Sequence, residues 1–479
     1  MSHKATPPTI CLSPDLIARF GAIVGPQHAL TDPDQQLPYI REMRDMYSGR
    51  ASLVLRPGST QEVAQILALA NEHAIPVVPQ AGNTGLVGGQ TPMGGEILLS
   101  VSRLKKVRAV DPEGFTITVE AGLTLAEVQR AADDANRLFP LSLPSEGTCQ
   151  IGGNLSTNAG GVNALVYGTA RSLVLGLEVV LADGRVWNGL SQLKKDNTGY
   201  DLKDLFIGAE GTLGIITAAV LKLFPKPLEK ATAFVGLPDL DSALALFTLG
   251  QEIAGSSLTA FEVMKHNVLD TIVKHARGAR NPFPASEHPW YVLLETSGLK
   301  ADGSAERLLT DTLMTASERG VITDAVVAGS LGQARDFWYV RESYSEAQKP
   351  LGGSIKNDVS VPVHAIPEFI RRADAAMERI CPGCRPIPIA HFGDGNIHYN
   401  ISQPEGMAKD AYMALWDDMV HAVHAEVLAL DGSISAEHGI GQMKVPELAQ
   451  VKGPVAMDLM RGIKQAFDPK GILNPGKVL

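Results

Sequence analysis

The spacing of apolar residues along the chain changes period repeatedly. Ala51–Leu55 is a short apolar run that predicts a strand. Downstream, Ala64, Ile66, Leu67 and Ala70 fall on one helical face, and Ser59 with Glu62 supplies an S-x-x-E capping box at its start. Ile75–Pro79 predicts the next strand, and Phe115–Glu120 alternates like one. Thr124 and Glu127 repeat the capping box ahead of another helix. Phe224-Pro225-Lys226-Pro227 interrupts the pattern, because paired prolines stop regular structure and stiffen a linker. Beyond it, strand-like runs at 232–236, 290–295 and 355–363 are separated by helical patterns near 241–253, 303–319 and 332–348. Pro282–Pro289 reads as a surface loop and Ala408–Leu430 as a long helix. This alternation predicts an α+β protein with a sheet covered by helices.

Composition narrows the function classes. The 479 residues carry 42 Lys+Arg against 52 Asp+Glu, a net charge of −10. That balance disfavours nucleic-acid binding, which rests on phosphate neutralisation by basic side chains. No apolar run reaches the roughly 20 residues of a membrane-spanning helix, so no integral membrane protein is expected. Met1–Pro14 lacks the pattern of a secretory signal, and the expected location is cytoplasmic. Four cysteines in so long a chain cannot form a disulfide framework.

The 47 glycines change the picture most, because they cluster at 82–95, 147–168, 208–214, 393–395 and 432–441. Glycine lets a ligand approach the backbone closely, and exposed N–H groups make anion-binding concavities. Pro79-Gln80-Ala81-Gly82-Asn83-Thr84-Gly85-Leu86 follows a strand and suits that role. So does Pro144-Ser145-Glu146-Gly147-Thr148 running into Ile151-Gly152-Gly153-Asn154-Leu155-Ser156-Thr157-Asn158-Ala159-Gly160-Gly161. Each cluster taken singly fits an ordinary tight turn equally well. No G-x-G-x-x-G occurs, which argues against a Rossmann site. Gly471–Lys477 matches G-x-x-x-x-G-K but runs into Val478 rather than Ser or Thr, a chance P-loop match.

Two further segments carry candidate chemistry. His391-Phe392-Gly393-Asp394-Gly395-Asn396-Ile397-His398 reads as a hairpin, with loop 393–396 pairing His391 directly with His398 on one face and Asn400 sharing it. Glu437 and His438 follow in Ser433–Gly441. Two His and one Glu can hold a catalytic divalent ion with open positions, and a further His can act as base. The same residues also suit satisfied core or surface histidines. Arg341 and Ser345 are four apart in a predicted helix, and Lys356 follows in a strand; an Arg fork suits a carboxylate. Cys381-Pro382-Gly383-Cys384 has no second pair and reads as a loop with incidental thiols.

The Pro79–Leu86 loop, the Ile151–Gly161 segment, Asn197-Thr198-Gly199-Tyr200-Asp201-Leu202, Gly208-Ala209-Glu210-Gly211-Thr212-Leu213-Gly214 and Asn474-Pro475-Gly476-Lys477 occur in an order that resembles the FAD-linked oxidases of the vanillyl-alcohol oxidase and p-cresol methylhydroxylase superfamily. The resemblance runs from about residue 45 to the C-terminus. It implies an N-terminal helical segment over 1–44, then a PCMH-type FAD-binding domain of two α/β subdomains over 45–226. An α+β substrate domain over 227–405 and a helical segment over 406–479 that returns to the flavin complete the chain. It implies FAD contacts from Pro79, Gln80, Ala81, Gly82, Asn83, Thr84, Gly85 and Leu86 in the first loop. Pro144, Gly147, Thr148, Gly152, Gly153, Asn154, Thr157, Asn158, Gly160 and Gly161 would line the second. Glu210, Gly211, Gly214, Ile215 and Asn474 would complete the set. Some relatives attach FAD through a histidine in the first loop; this chain has none between His73 and His266. Cys149 reads as a small buried residue, and FAD is expected to be non-covalent.

Within that superfamily, His391, His398 and Glu437 match the metal ligands of D-2-hydroxyglutarate dehydrogenases and close relatives, and His438 matches their catalytic base. Arg341, Ser345, Lys356 and Asn400 match the substrate pocket, with Ser345 where some relatives carry Thr. The resemblance implies metal-assisted oxidation of a D-2-hydroxy acid to a 2-oxo acid, using a divalent ion such as Zn2+, Mn2+ or Co2+. Electrons would pass to an external acceptor such as electron-transfer flavoprotein, a quinone or a cytochrome. D-lactate dehydrogenase and the flavin subunit of glycolate oxidase are alternatives in the same class. A metal-dependent hydrolase or a non-catalytic nucleotide-binding protein is the alternative from another. Assembly stays open, with a homodimer one arrangement.

Overall fold

A computed structural model describes residues 10–479; residues 1–9 of the expected N-terminal helical segment lie outside them. The chain divides into two compact units between Pro225 and Lys226 and again between Glu437 and His438. One unit holds Gly161–Val166 and Lys226–Glu437. Among the described residues, the other holds 10–160, Tyr167–Pro225 and His438–Leu479. The segment expected to act together from 406 onward is thus shared between them.

In the unit that carries the N-terminal glycine clusters, β1 (Ala29–Leu30), β2 (Ala51–Leu55), β3 (Val77–Gln80) and β4 (Gly95–Ser100) form a sheet in the order β1-β2-β4-β3. Strands β2, β4 and β3 run parallel. Next come β5 (Val107–Asp111), β6 (Thr116–Glu120), the two-residue β7 (Arg137–Leu138), β8 (Val174–Val180), β9 (Val186–Gly189), β10 (Ile215–Lys222) and β11 (Phe224–Pro225). The second sheet has the order β5-β6-β10-β8-β9, and β7 pairs with β11. The helix Thr60–Glu72 starts where the sequence places it: Ser59 Oγ accepts the Glu62 N–H. Glu62 turns to Gly58 N rather than back to Ser59, so the box is half formed. At Thr124 and Glu127 both halves are present. The buried face of Thr60–Glu72 packs Val63, Ile66 and Leu67 against Leu53, Leu55, Val77 and Leu99.

The other unit is built on β12 (Glu229–Leu237), β13 (Leu258–Lys265), β14 (Trp290–Gly298), β15 (Asp324–Val327), β16 (Ser354–Ser360), β17 (Arg385–His391) and β18 (Asn396–Ser402). They form one antiparallel sheet, β15-β12-β14-β13-β17-β18-β16. Phe261, Val263, Ile355, Val359, Ala390, Ile397 and Tyr399 pack in one core with residues of the helices Leu240–Ala254, Ser304–Glu318 and Ile366–Ile380. Because side chains alternate along a strand, the intervening positions Glu262, Lys356, Asp358, His391, His398 and Asn400 face the other way.

Four elements differ from the sequence expectation. The hairpin turns one residue earlier: a 3-10 turn over Phe392–Asp394 and Gly395 join β17 to β18, and His391 pairs with Asn396 while His398 pairs with Ile389. The histidines therefore share a face as diagonal rather than direct neighbours. The helix expected over 332–348 is Leu331–Glu342 followed by Tyr344–Ala347, interrupted at Ser343. The long helix expected over 408–430 splits into Lys409–Met413 and Trp416–Leu428, where the Leu415 N–H takes the tighter bond to the Tyr412 carbonyl. Strand β16 stops at Ser360, before Pro362, which has no N–H for a ladder.

Candidate active site

The FAD-linked motifs converge within one unit. A Cβ at Gly82 would lie 2.3 Å from the Thr148 carbonyl oxygen, and one at Gly153 would lie 3.0 Å from the Ala81 side chain. The first and second loops therefore touch only because glycine occupies these positions. Gly211, at φ 72°, lies against Pro79, where a Cβ would come within 2.4 Å of the ring. Asn83, Asn158, Glu210 and Asn474 all have positive φ, a conformation Asn tolerates and Glu rarely adopts. Asn474 closes the ring of motifs: its amide donates to the Gly89 and Glu210 carbonyls at 3.0 and 2.8 Å. Its buried Oδ1 has no partner, an acceptor that suits a cofactor N–H. Gly152, Asn154, Gly160, Gly161, Gly214 and Ile215 are buried, whereas Pro144, Gly147 and Thr148 are exposed at the rim. Gly161 falls in the other compact unit.

Glu210, expected as a cofactor contact, has its carboxylate engaged within the protein. Its carboxylate accepts the Ile440 and Gly441 N–H groups, each at 2.7 Å, and so braces the backbone immediately after His438. Burial pushes this carboxyl up, against those two bonds and Lys444. Cys149 is buried and its thiol is pushed up by burial, the state least able to act as a nucleophile. Tyr200, in the Asn197–Leu202 motif, is 95% exposed.

The second constellation sits on the face of the seven-stranded sheet turned away from the Phe261–Val263 core, the face that also carries Met264, Ile387 and Ile389. His391 Nε2 lies 3.4 Å from His398 Nε2, 3.9 Å separates His391 Nε2 from Glu437 Oε1, and 3.9 Å separates His398 Nε2 from Glu437 Oε2. Ligands about 2.1 Å from a tetrahedral ion are roughly 3.4 Å apart. These three residues form a group whose ligand atoms all lie within 4.8 Å of one another, a fit for a divalent cation. Glu437 reaches the sheet because its segment is tethered along β16: Ser360 and Ser433 exchange backbone bonds, and the Glu437 N–H donates to Asp358 Oδ2 at 2.9 Å. Burial pushes the Glu437 carboxyl up; His391 opposes, and Asp358 and Asp394 reinforce.

Two acids missed in the sequence hold this set. Glu262 on β13 accepts from His391 Nδ1 at 2.8 Å and from Arg341 Nε at 2.6 Å. Burial alone would raise its carboxyl, but Arg341 and His391 hold it at about 2. Burial alone would lower His391, yet Glu262 raises it to about 9. Asp358 lies across from His398 on β16, with 3.8 Å between Oδ1 and Nδ1, and its Oδ1 accepts from Asn396 Nδ2 at 2.9 Å. Both are single acids in strands: Glu262 interrupts Ala260–Met264, and Asp358 continues the polar alternation of Lys356 and Ser360.

The expected substrate residues divide. Arg341 is buried beside His391, with its Nη2 3.3 Å from Nε2. Lys356 is paired in register with Asn400, and Asn400 donates to Gln348 at 3.2 Å. Ser345, beyond the interruption at Ser343, is exposed while Arg341 is buried. His438 follows Glu437 directly in the chain and begins the other unit's C-terminal segment.

Comparison with known proteins adds an independent line. The FAD binding domain matches residues 51–189, and the C-terminal domain of FAD linked oxidases matches residues 226–478. A mitochondrial D-2-hydroxyglutarate dehydrogenase of Arabidopsis thaliana is 38% identical over 97% of this chain and 81% of its own length. D-2-hydroxyglutarate dehydrogenase of Xanthomonas citri pv. viticola is 36% identical over 94% of this chain and 93% of its own. Among solved structures, p-cresol methylhydroxylase superposes with a TM-score of 0.75 at 19% identity, covering 97% of this chain and 96% of that one; it shares the fold. No helix among the described residues is long and apolar enough to cross a membrane.

Proposed function

Because this chain belongs to the D-2-hydroxyglutarate dehydrogenases, within the FAD-linked oxidases, we propose that it oxidises D-2-hydroxyglutarate to the 2-oxo acid with non-covalent FAD and a divalent ion. The observation that carries the metal part is the His391–His398–Glu437 group, three ligand atoms within 4.8 Å of one another. Held there, a divalent ion, with Zn2+ first and Mn2+ or Co2+ also suited to the donor set, would polarise the substrate hydroxyl and lower its pKa. FAD would supply the two-electron acceptor for the C2 hydride. His438 takes the hydroxyl proton as the hydride leaves, so that the alcohol loses two electrons and two protons in all. Arg341 and Lys356 would receive the substrate carboxylates and fix the substrate's orientation, with Ser345 and Asn400 as further polar contacts. An external acceptor, such as electron-transfer flavoprotein, a quinone or a cytochrome, would take up the two electrons.

The test is stopped-flow flavin absorbance with D-2-hydroxyglutarate, D-lactate, D-malate and glycolate, each with and without a chelator. D-2-hydroxyglutarate should bleach the flavin fastest, and the chelator should stop bleaching while FAD stays bound. Faster reduction by D-lactate or glycolate would move the assignment to those enzymes. Reduction indifferent to chelator would remove the metal. Acid denaturation should release all flavin from the chain.

A further inference from the structure

We infer that Glu262 is the positioning residue of this site: one carboxylate that sets the ligand state of His391 and the placement of Arg341 together. The inference rests on the proposed metal and substrate roles of those two residues. Glu262 is 1% exposed, in register opposite His391 on the neighbouring strand β17. Both its oxygens are used, Oε1 by His391 Nδ1 at 2.8 Å and Oε2 by Arg341 Nε at 2.6 Å. A carboxylate accepts only, so Nδ1 must carry the proton. The Nε2 lone pair is then directed to the side where His398 Nε2 and Glu437 Oε1 lie at 3.4 and 3.9 Å. A carboxylate behind a ligating imidazole raises its basicity and fixes its ring.

The second oxygen solves a charge problem. Arg341 Nη2 lies 3.3 Å from His391 Nε2, so a guanidinium and a divalent ion would occupy neighbouring positions. Like charges this close in a buried site repel strongly, and the buried acid that contacts both Arg341 and His391 offsets that repulsion. By gripping Arg341 through Nε, Glu262 also leaves the forked Nη groups to turn toward a substrate carboxylate. Metal affinity and substrate affinity should therefore fall together when Glu262 loses its charge.

The test uses full-length FAD-loaded enzyme stripped of metal and titrated with Co2+, followed by the visible absorption of the bound ion. Glu262→Gln keeps the shape and an acceptor oxygen but removes the charge. It should weaken Co2+ roughly 10–100-fold and raise KM for D-2-hydroxyglutarate, with FAD content unchanged. Glu262→Asp, which retains the charge one methylene short, should fall between the two and serves if the Gln variant does not fold. In the Arg341→Met background, Glu262→Gln should still weaken Co2+. Recovery of Co2+ affinity to the level of Arg341→Met alone would show that Glu262 is only a counter-ion for the arginine and would overturn the inference. Equal Co2+ affinity in wild type and Glu262→Gln would overturn it as well. Failure of the wild type to bind Co2+ is a distinct result and counts against the metal reading itself.

Discussion

At the scale of single residues, the Arg341–Glu262–His391 group makes folding stability depend on pH in a defined direction when no metal is bound. Glu262 titrates at about 2 in the folded chain against 4.5 for the ordinary carboxyl. A depressed folded value contributes stability that is complete above about 4.5 and disappears as pH falls toward 2. His391, raised to about 9 from 6.5, contributes in the opposite sense: its share is complete below about 6.5 and is lost as pH rises through 9. Metal-free protein should thus be most stable between about pH 5 and 6.5 as far as this group is concerned, with losses on the order of a few kcal/mol beyond either limit. Denaturant melts of wild type and Glu262→Gln at pH 3.5, 6 and 9 test this. Parallel curves at all three would show the group contributes nothing. The grouping of His391, His398 and Glu437, whose ligand atoms lie within 4.8 Å of one another, was expected from the resemblance and, for the two histidines, from the hairpin. Glu262 was not, since it lies 129 residues from His391 and only strand pairing makes them neighbours. A lone acid inside an apolar strand was the available signal.

At the scale of elements, the β17–β18 hairpin decides whether the two histidines cooperate. A slip of one residue in strand pairing sends a side chain to the opposite face. The sequence reading put the turn one residue late, and His391 and His398 nevertheless share a face because the parity of the pairing is the same. Gly395 fixes that register: it sits at φ 85°, and a Cβ there would lie 2.3 Å from the Val361 carbonyl oxygen. Gly395→Ala should therefore cost about 1–3 kcal/mol and weaken Co2+ binding, since the turn must open to accept the methyl group. Thermal melts paired with the Co2+ titration check this, and an Ala variant with wild-type stability and affinity would contradict it. Periodicity located the helices and strands well where an apolar face is continuous, as in Leu240–Ala254 and Ser304–Glu318. It missed the interruption at Ser343, where the local pattern stays helical; with that break, Ser345 is exposed while Arg341 is buried.

At the scale of the whole molecule, the chain crosses between its compact units several times, yet each unit is internally complete. One has its own hydrophobic clusters around Ile66 and Leu177; the other has its own around Leu294 and Phe234. The FAD motifs and the candidate metal ligands are divided along the same line, apart from Gly161. A ligand stabilises the structure that binds it by an amount set by its concentration over Kd, about 2.7 kcal/mol at a hundredfold excess, and slows the local openings that expose its site. Amide hydrogen exchange should resolve the two contributions in one experiment. FAD should slow exchange across 80–90, 147–160, 208–215 and 472–474, where Asn474 ties the tail to Gly89 and Glu210. Zn2+ added to metal-free, FAD-loaded protein should instead slow β17, β18 and the segment around Glu437, whose backbone is held by Asp358. Protection by Zn2+ confined to the FAD-responsive peptides would place the ion elsewhere and would break the assignment of His391, His398 and Glu437. Protection at β17 and β18 that disappears in Glu262→Gln would trace the metal's effect to the one carboxylate that joins His391 to Arg341.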